Sequence, residues 1–201
     1  MINRAFRTSI RGACLALALA APLAVTAADA PSSYNPNRGP QHYPPPPPVN
    51  PQTLTQKVHD ATTRYVHLKN ALYDHFVPGT PCVSGPNTGA MGVHFVLPDR
   101  MKDAVVEADA PEALIYEPQP DGSMRFVGVE FILDAAKWAA ANPEGGAPSL
   151  EGHLMNYVGA PNRYGLDAFY ELHVWAWEDN PEGTFADWNT RVTCEKQPLP
   201  N

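Results

Sequence analysis

The sequence predicts an α+β fold, in which an N-terminal helix packs on a strongly bent antiparallel β-sheet or an open β-barrel. A helical apolar stripe begins near residue 53, and four runs with strand-like alternation follow it. Gly, Pro and Asp punctuate the gaps between these runs, as turns require. We therefore expect a single globular domain over residues 53–201.

Residues 1–28 have the composition of a secretory signal peptide. Arg4, Arg7 and Arg11 form a basic start, the apolar run "ACLALALAAPLAV" follows, and small residues come after it. Pro22 and the short apolar length argue against a membrane span, which needs about 20 apolar residues. We expect an exported protein, periplasmic or extracellular, without membrane insertion after signal cleavage.

Residues 29–52 form a predicted disordered linker that is rich in proline. Five consecutive prolines begin at Pro44, and the segment has no apolar period. Such a run favours a stiff, solvated polyproline II rod. A spacer is the expected role, with binding to a proline-recognition module as the alternative.

The charge balance is acidic. The chain carries 14 Lys+Arg and 21 Asp+Glu side chains, and the predicted leader removes three of the arginines. The mature chain is therefore a poor partner for nucleic acid or for anionic membrane surfaces. Cys82 and Cys194 are the two cysteines outside the leader, which in an exported chain predicts one disulfide.

The helix is expected to begin after Thr53, which forms a capping-box pattern with Gln56. Its apolar stripe runs from Leu54 to Phe76 at spacings of three and four. The four strand-like runs are residues 89–97, 112–118, 123–133 and 167–178. A short Ala-rich helix is expected after Asp134, followed by a long loop over residues 143–165.

Ionisable residues stand in the middle of three of these predicted strands. They are His94, Glu130 and His173, at positions where a simple core would place Val or Leu. If the strand faces meet inside a barrel, the three side chains converge. Two imidazoles and one carboxylate are a recurring ligand set for zinc, copper or iron, so the sequence predicts a divalent metal site.

Further residues are candidates for the same site. Gly92 and Gly128 would leave room for a ligand beside the cluster, and the aromatic residues 169, 175 and 177 would wall it. The possible additional site residues are Glu117, His153, Glu171 and Trp175.

Other chemistries find less support in the sequence. No serine lies in a G-x-S-x-G elbow, and no P-loop, Rossmann glycine fingerprint or Cys-x-x-Cys motif is present. The glycine-rich stretch "GPNTGAMG" leads into a strand, so it lacks the helix N-terminus of a phosphate site. Whether the protein is an enzyme stays open at this point.

Four stretches carry distinctive motifs: "TPCVSGPNTGAMGVHFV", "PEALIYEP", "VGVEFI" and "YELHVWAWEDNPEGTFADWNTRVTC". Together they resemble a group of exported bacterial proteins whose activity is uncharacterised. The shared patterns are MGxHF, PExLxYEP, VEF and LHxWxW followed by NPxGxFxxWN and a cysteine, over about residues 60–195. The resemblance implies export, and it implies no activity.

Three functional hypotheses follow. The first is an exported protein with a polar cavity, lined by His and Glu, that binds a divalent transition metal and acts on a small molecule. The second is a metal-free module that binds a small apolar or aromatic ligand. The third is a structural protein in which the His and Glu side chains form an internal hydrogen-bond network.

Overall fold

The structure is a computed structural model that describes residues 52–196. The predicted signal peptide and the predicted linker, apart from its last residue, lie outside these residues. The described part combines short helices with a mostly antiparallel sheet, which confirms the predicted α+β class. None of its helices is long and apolar enough to cross a membrane.

The helical segment begins as predicted but is interrupted. Helix α1 spans Leu54–Thr62, and the side chains of Thr53 and Gln56 form the expected capping box. A 3-10 turn over Thr63–Val66 and helix α2 over Leu68–Tyr73 follow α1. The prediction of one continuous helix is therefore wrong.

The break has a local cause at two threonines. The Thr62 hydroxyl donates to the Val58 carbonyl at 2.6 Å, and the Thr63 hydroxyl donates to the His59 carbonyl at 3.0 Å. Such back-bonding from β-branched residues weakens a helix. The Tyr116 hydroxyl then fixes the 3-10 turn to the sheet by donating to the Tyr65 carbonyl at 2.7 Å.

Nine strands make up the β structure. They are β1 Val77–Pro78, β2 Val83–Gly85, β3 Gly89–Val96, β4 Ala113–Pro118, β5 Met124–Asp134, β6 Ser149–Leu150, β7 His153–Leu154, β8 Asn156–Val158 and β9 Phe169–Val174. The main sheet has the order β1-β3-β4-β5-β9-β8, with β2 also pairing with β3, and β6 pairs with β7 separately. Within residues 52–196 this sheet is open, so a closed barrel does not form.

The long strands agree with the sequence, and the long loop does not. Helix α3 spans Ala135–Ala141, and its cap Asp134 accepts from the Lys137 backbone N–H at 2.8 Å, as the Ala-rich run predicted. The segment 143–165 was expected to be a loop. It carries the short strands β6 to β8. Strand β8 pairs with the edge of β9, and β6 pairs with β7.

The two faces of the main sheet are covered differently. The face that carries Phe95, Leu114 and Phe131 packs against α1, the 3-10 turn and the residues after α2 in the largest apolar cluster. The opposite face carries His94, Glu130 and His173, and connecting segments cover it with Met101 and Tyr164. The candidate site therefore lies beneath the segment of Tyr164 and a short 3-10 helix over Arg100–Lys102, on the side of the sheet opposite α1.

A C-terminal segment over residues 178–194, here named the clasp, is tied to the start of the sheet. Cys82 and Cys194 form the predicted disulfide. Asn189 forms an isolated bridge with Ala90 on β3, and the Asn180 amide donates to the Trp188 carbonyl at 2.8 Å. The clasp thus brings residues far along the chain close to β3.

Candidate metal centre

Strand register places the three predicted ligands on one face. Glu130 on β5 lies directly opposite His173 on β9. His94 lies two strands away, on β3, and β4 runs between β3 and β5 with Ala113 opposite Glu130. Neighbouring strands are about 5 Å apart, so β3 and β5 are separated by about 10 Å. On β4, Ala113 lies opposite Val96 and Ile115 lies opposite His94, so His94 and Glu130 approach each other diagonally across β4.

The three side chains form a compact, buried group. His94 Nε2 lies 3.2 Å from Glu130 Oε2, and the rings of His94 and His173 are 5.8 Å apart between centroids. One ligand atom from each residue lies within 4.8 Å of the others, a separation that can hold a metal ion. His173 is 1% exposed, His94 3% and Glu130 5%.

Several ring nitrogens in this group lack a hydrogen-bond partner. His94 Nδ1 is 3.1 Å from the Thr80 hydroxyl, which fixes one side of that ring. His94 Nε2 lies 3.2 Å from Glu130 Oε2, but the two atoms are not aligned as a hydrogen bond. Both nitrogens of His173 also have no hydrogen bond. A buried polar atom without a partner costs about 1–3 kcal/mol. These atoms therefore point to a missing partner of the imidazoles.

Burial determines the charges of the group. It lowers the pKa of His94 to about 4, and burial together with the neighbouring His94 lowers the pKa of His173 to about 3. Burial and the nearby Glu171 raise the pKa of Glu130 well above its ordinary value. At neutral pH the metal-free site holds two neutral imidazoles, whose lone pairs are free to bind a metal.

Glu171 and Asp187 extend the group on its β9 side. The Glu171 carboxyl hydrogen-bonds to that of Glu130, and burial raises its pKa to about 7. His173 Nδ1 lies 3.8 Å from Asp187 Oδ1, and Glu171, His173 and Asp187 form a second set of ligand atoms within 4.8 Å of one another. Glu171 was a predicted site residue. Asp187 was missed, because it lies in the clasp where no strand alternation marks its direction.

Two of the possible additional site residues, Glu117 and His153, make contacts outside the group. The Glu117 carboxylate accepts from Arg125 at 2.8 Å, from Gln119 at 2.9 Å and from the Thr193 backbone N–H at 3.0 Å. It therefore ties β4 to the clasp, and it does not join the group formed by His94, Glu130 and His173. The His153 ring packs on Phe185, with 3.9 Å between centroids, so this histidine does not join the group either.

The tryptophans separate at the end of β9. The Trp175 ring stays near His173, at 6.1 Å between centroids, and its Nε1 donates to the Ala186 carbonyl at 2.6 Å. Strand alternation ends at Val174. Trp177 consequently lies on the helical face of the sheet, where its Nε1 donates to Thr62 Oγ1 at 3.0 Å, and the expectation that it walls the site is wrong.

The glycines serve backbone packing rather than ligand space. A Cβ on Gly92, where φ is +98°, would lie 2.8 Å from the Tyr116 carbonyl oxygen. A Cβ on Gly128 would lie 2.8 Å from the Val174 carbonyl oxygen. The expected room for a ligand beside these positions is therefore filled by main chain.

The space next to the group lies elsewhere. A cavity of about 200 Å³ opens on its β3 side, and both His94 and Glu130 line it. Phe169, one of the predicted wall aromatics, lines it as well. The site thus combines buried nitrogen and oxygen ligands with an adjoining cavity.

Comparison with known proteins finds no family model, no curated protein and no solved structure that matches this chain. The functional argument consequently rests on the geometry of the site, and the resemblance to exported bacterial proteins stays a prediction.

Proposed function

We propose that this protein is exported and binds a divalent transition metal through His94, Glu130 and His173. The observation that carries the proposal is the set of unpartnered ring nitrogens, buried and gathered around one carboxyl group. Two histidines and one glutamate suit zinc, copper or iron, and three protein ligands leave coordination positions open for a small molecule.

The same observation argues against a purely structural hydrogen-bond network. In such a network the polar atoms would satisfy one another, because buried polar groups in folded proteins nearly always have partners. Here three of the four ring nitrogens of His94 and His173 have none. A bound ion would give His94 Nε2 and one nitrogen of His173 the partner that the protein does not supply.

Export is supported by the disulfide and by the sequence of residues 1–28. Disulfides persist in oxidising compartments and are rare in the cytosol. Cys82 and Cys194 lie on the clasp side of the sheet and join segments 112 residues apart. The metal would therefore be bound outside the cytosol.

Elemental analysis tests the proposal directly. Protein produced from the full-length chain and purified without chelator or affinity metal is expected to contain about one equivalent of zinc, copper or iron. A His67→Ala variant should keep that equivalent, since His67 is exposed and outside the site. Absence of metal, also after reconstitution and dialysis, would overturn the proposal and favour the metal-free hypothesis.

Asp187 is expected to act as a positioning residue for His173. Carboxylates that face the second nitrogen of a metal-bound imidazole fix its tautomer, and their loss costs about 10–100-fold in metal affinity. We expect a weakening of that size for Asp187→Ala in a competition titration with a metal indicator. Asp179→Ala, an exposed carboxylate of the same clasp that pairs with Arg191, is the matched control. Equal affinities of the two variants would contradict this role.

A further inference from the structure

The cavity beside the candidate metal site has walls of a distinct character. Most of its lining side chains are apolar, and these are Met91, Val96, Met101, Ile132, Leu166 and Phe169. Its polar lining consists of Thr80, His94 and Glu130, which lie together on one side, and of the Tyr164 hydroxyl beside Met91. The cavity therefore has an apolar body and one polar end.

The size of the cavity limits its occupant. A dry cavity of about 150 Å³ lined by Leu, Ile and Phe is known to hold benzene. The cavity described here measures about 200 Å³, which corresponds by that scale to about eight non-hydrogen atoms. A monocyclic aromatic molecule with one or two substituents fits this volume.

The charge of the lining limits the occupant further. No lysine or arginine lines the cavity, so an anionic ligand would find no compensating cation. A cationic ligand would lose its hydration among apolar walls, with only the Glu130 carboxyl facing it. His94 Nε2, in contrast, is a buried ring nitrogen without a hydrogen bond at the polar end. An uncharged ligand with a single hydroxyl group matches this arrangement.

The mouth of the cavity is apolar as well. Leu166, in the segment before β9, is 40% exposed although it lines the cavity. Tyr164 from the same segment packs its ring near Phe169, and its hydroxyl lies 3.4 Å from Met91 Sδ. A ligand in the cavity would cover the exposed part of Leu166.

We infer that this cavity binds a small, uncharged phenol-like molecule, with its aromatic body between the apolar walls and its hydroxyl at His94 and Glu130. The inference rests on the proposed function, because the hydroxyl oxygen would reach the open side of the metal. In the metal-free protein the hydroxyl donates to His94 Nε2 instead. The substrate class inferred for the proposed metal site is therefore small, uncharged phenols.

Calorimetric titration of the zinc-loaded and the metal-free protein with 4-methylphenol tests the inference. We expect one molecule of 4-methylphenol to bind per chain. The affinity for 1,4-dimethylbenzene, which has the same size but no hydroxyl group, should be about tenfold lower. The Leu166→Trp variant should fill the mouth of the cavity and lower the affinity for 4-methylphenol by about tenfold or more. Leu154→Trp is the matched control, because Leu154 is also an exposed leucine and does not line the cavity.

The outcomes separate the two proposals. One equivalent of metal without 4-methylphenol binding in either form overturns the ligand inference and leaves the metal site intact. Binding to a protein that takes up no metal supports the ligand inference while the proposed function fails. Equal affinities for the phenol and the hydrocarbon, or equal losses in the two tryptophan variants, would also overturn the inference.

Discussion

Replacing His173 with leucine is expected to abolish metal binding and, at the same time, to stabilise the metal-free protein. His173 is 1% exposed, and neither ring nitrogen has a hydrogen-bond partner. Leucine has a similar volume and no polar atom to leave unpaired. We expect the free energy of unfolding of the metal-free protein to rise by about 1–3 kcal/mol.

Urea unfolding of chelator-treated protein, together with elemental analysis, measures both effects. His153→Leu is the control, since His153 is a partly exposed histidine outside the site and should change neither metal content nor stability substantially. A fall in stability for His173→Leu would mean that His173 is a structural residue. In that case the unpartnered nitrogens would not indicate a site kept for function at the expense of stability.

The metal-free protein is expected to lose stability as the pH rises from 6.5 to 8. Burial raises the pKa of Glu112 to about 8 and that of Glu171 to about 7, and it raises the pKa of Glu130 well above the ordinary range. In the unfolded chain these carboxyls are ionised above pH 5. The folded state therefore binds more protons, and its stability falls with increasing pH until the folded-state pKa values are passed.

Histidines act in the opposite direction and in another pH range. The lowered pKa values of His94 and His173 destabilise the fold as the pH falls through about 6.5, where the unfolded chain takes up protons that the folded chain does not. Their opposing contribution fades as the pH rises above 6.5, so the carboxyls dominate the slope toward pH 8. Each carboxyl that stays protonated contributes a loss of roughly 1.4 kcal/mol per pH unit.

Denaturant unfolding of metal-free protein at several pH values measures this slope. Glu112→Gln is the informative variant, because its amide oxygen can still accept from the Ile132 backbone N–H, which lies 3.0 Å from the Glu112 carboxylate. The variant should reduce the loss of unfolding free energy per pH unit by about the contribution of one carboxyl, and it does not replace a residue of the proposed metal site. A stability that is flat or rising over this range would show that these carboxyls ionise freely in the folded protein.

The sequence predicts the main strands well because both faces of each strand are buried. Alternation, turn residues and length then all agree, and the structure places β3, β4, β5 and β9 within a few residues of the expected bounds. The position of His94, Glu130 and His173 on one face follows from the same alternation. The sequence does not give strand order, so the approach of His94 and Glu130 across β4 could not be predicted.

Several residues that the sequence missed or placed wrongly lie outside the long strands. Asp187 and Thr80 reach the site from irregular segments, whose direction depends on the disulfide and on bonds such as that between Asn189 and Ala90. Trp177 was assigned to the site by extending the alternation past Val174. A period of two holds only while the strand continues, and a turn after it redirects every following side chain.

The clasp also sets the order in which the protein can be assembled. The residues proposed to surround the metal extend from His94 to Asp187, and the disulfide that fixes their last contributor closes only at Cys194. A chain still emerging from the ribosome therefore contains His94 and Glu130 but lacks their partners from β9 and the clasp. The proposed set of metal ligands is therefore complete only after β9 has joined the sheet, so on this proposal the ion binds after the sheet has folded and does not nucleate it.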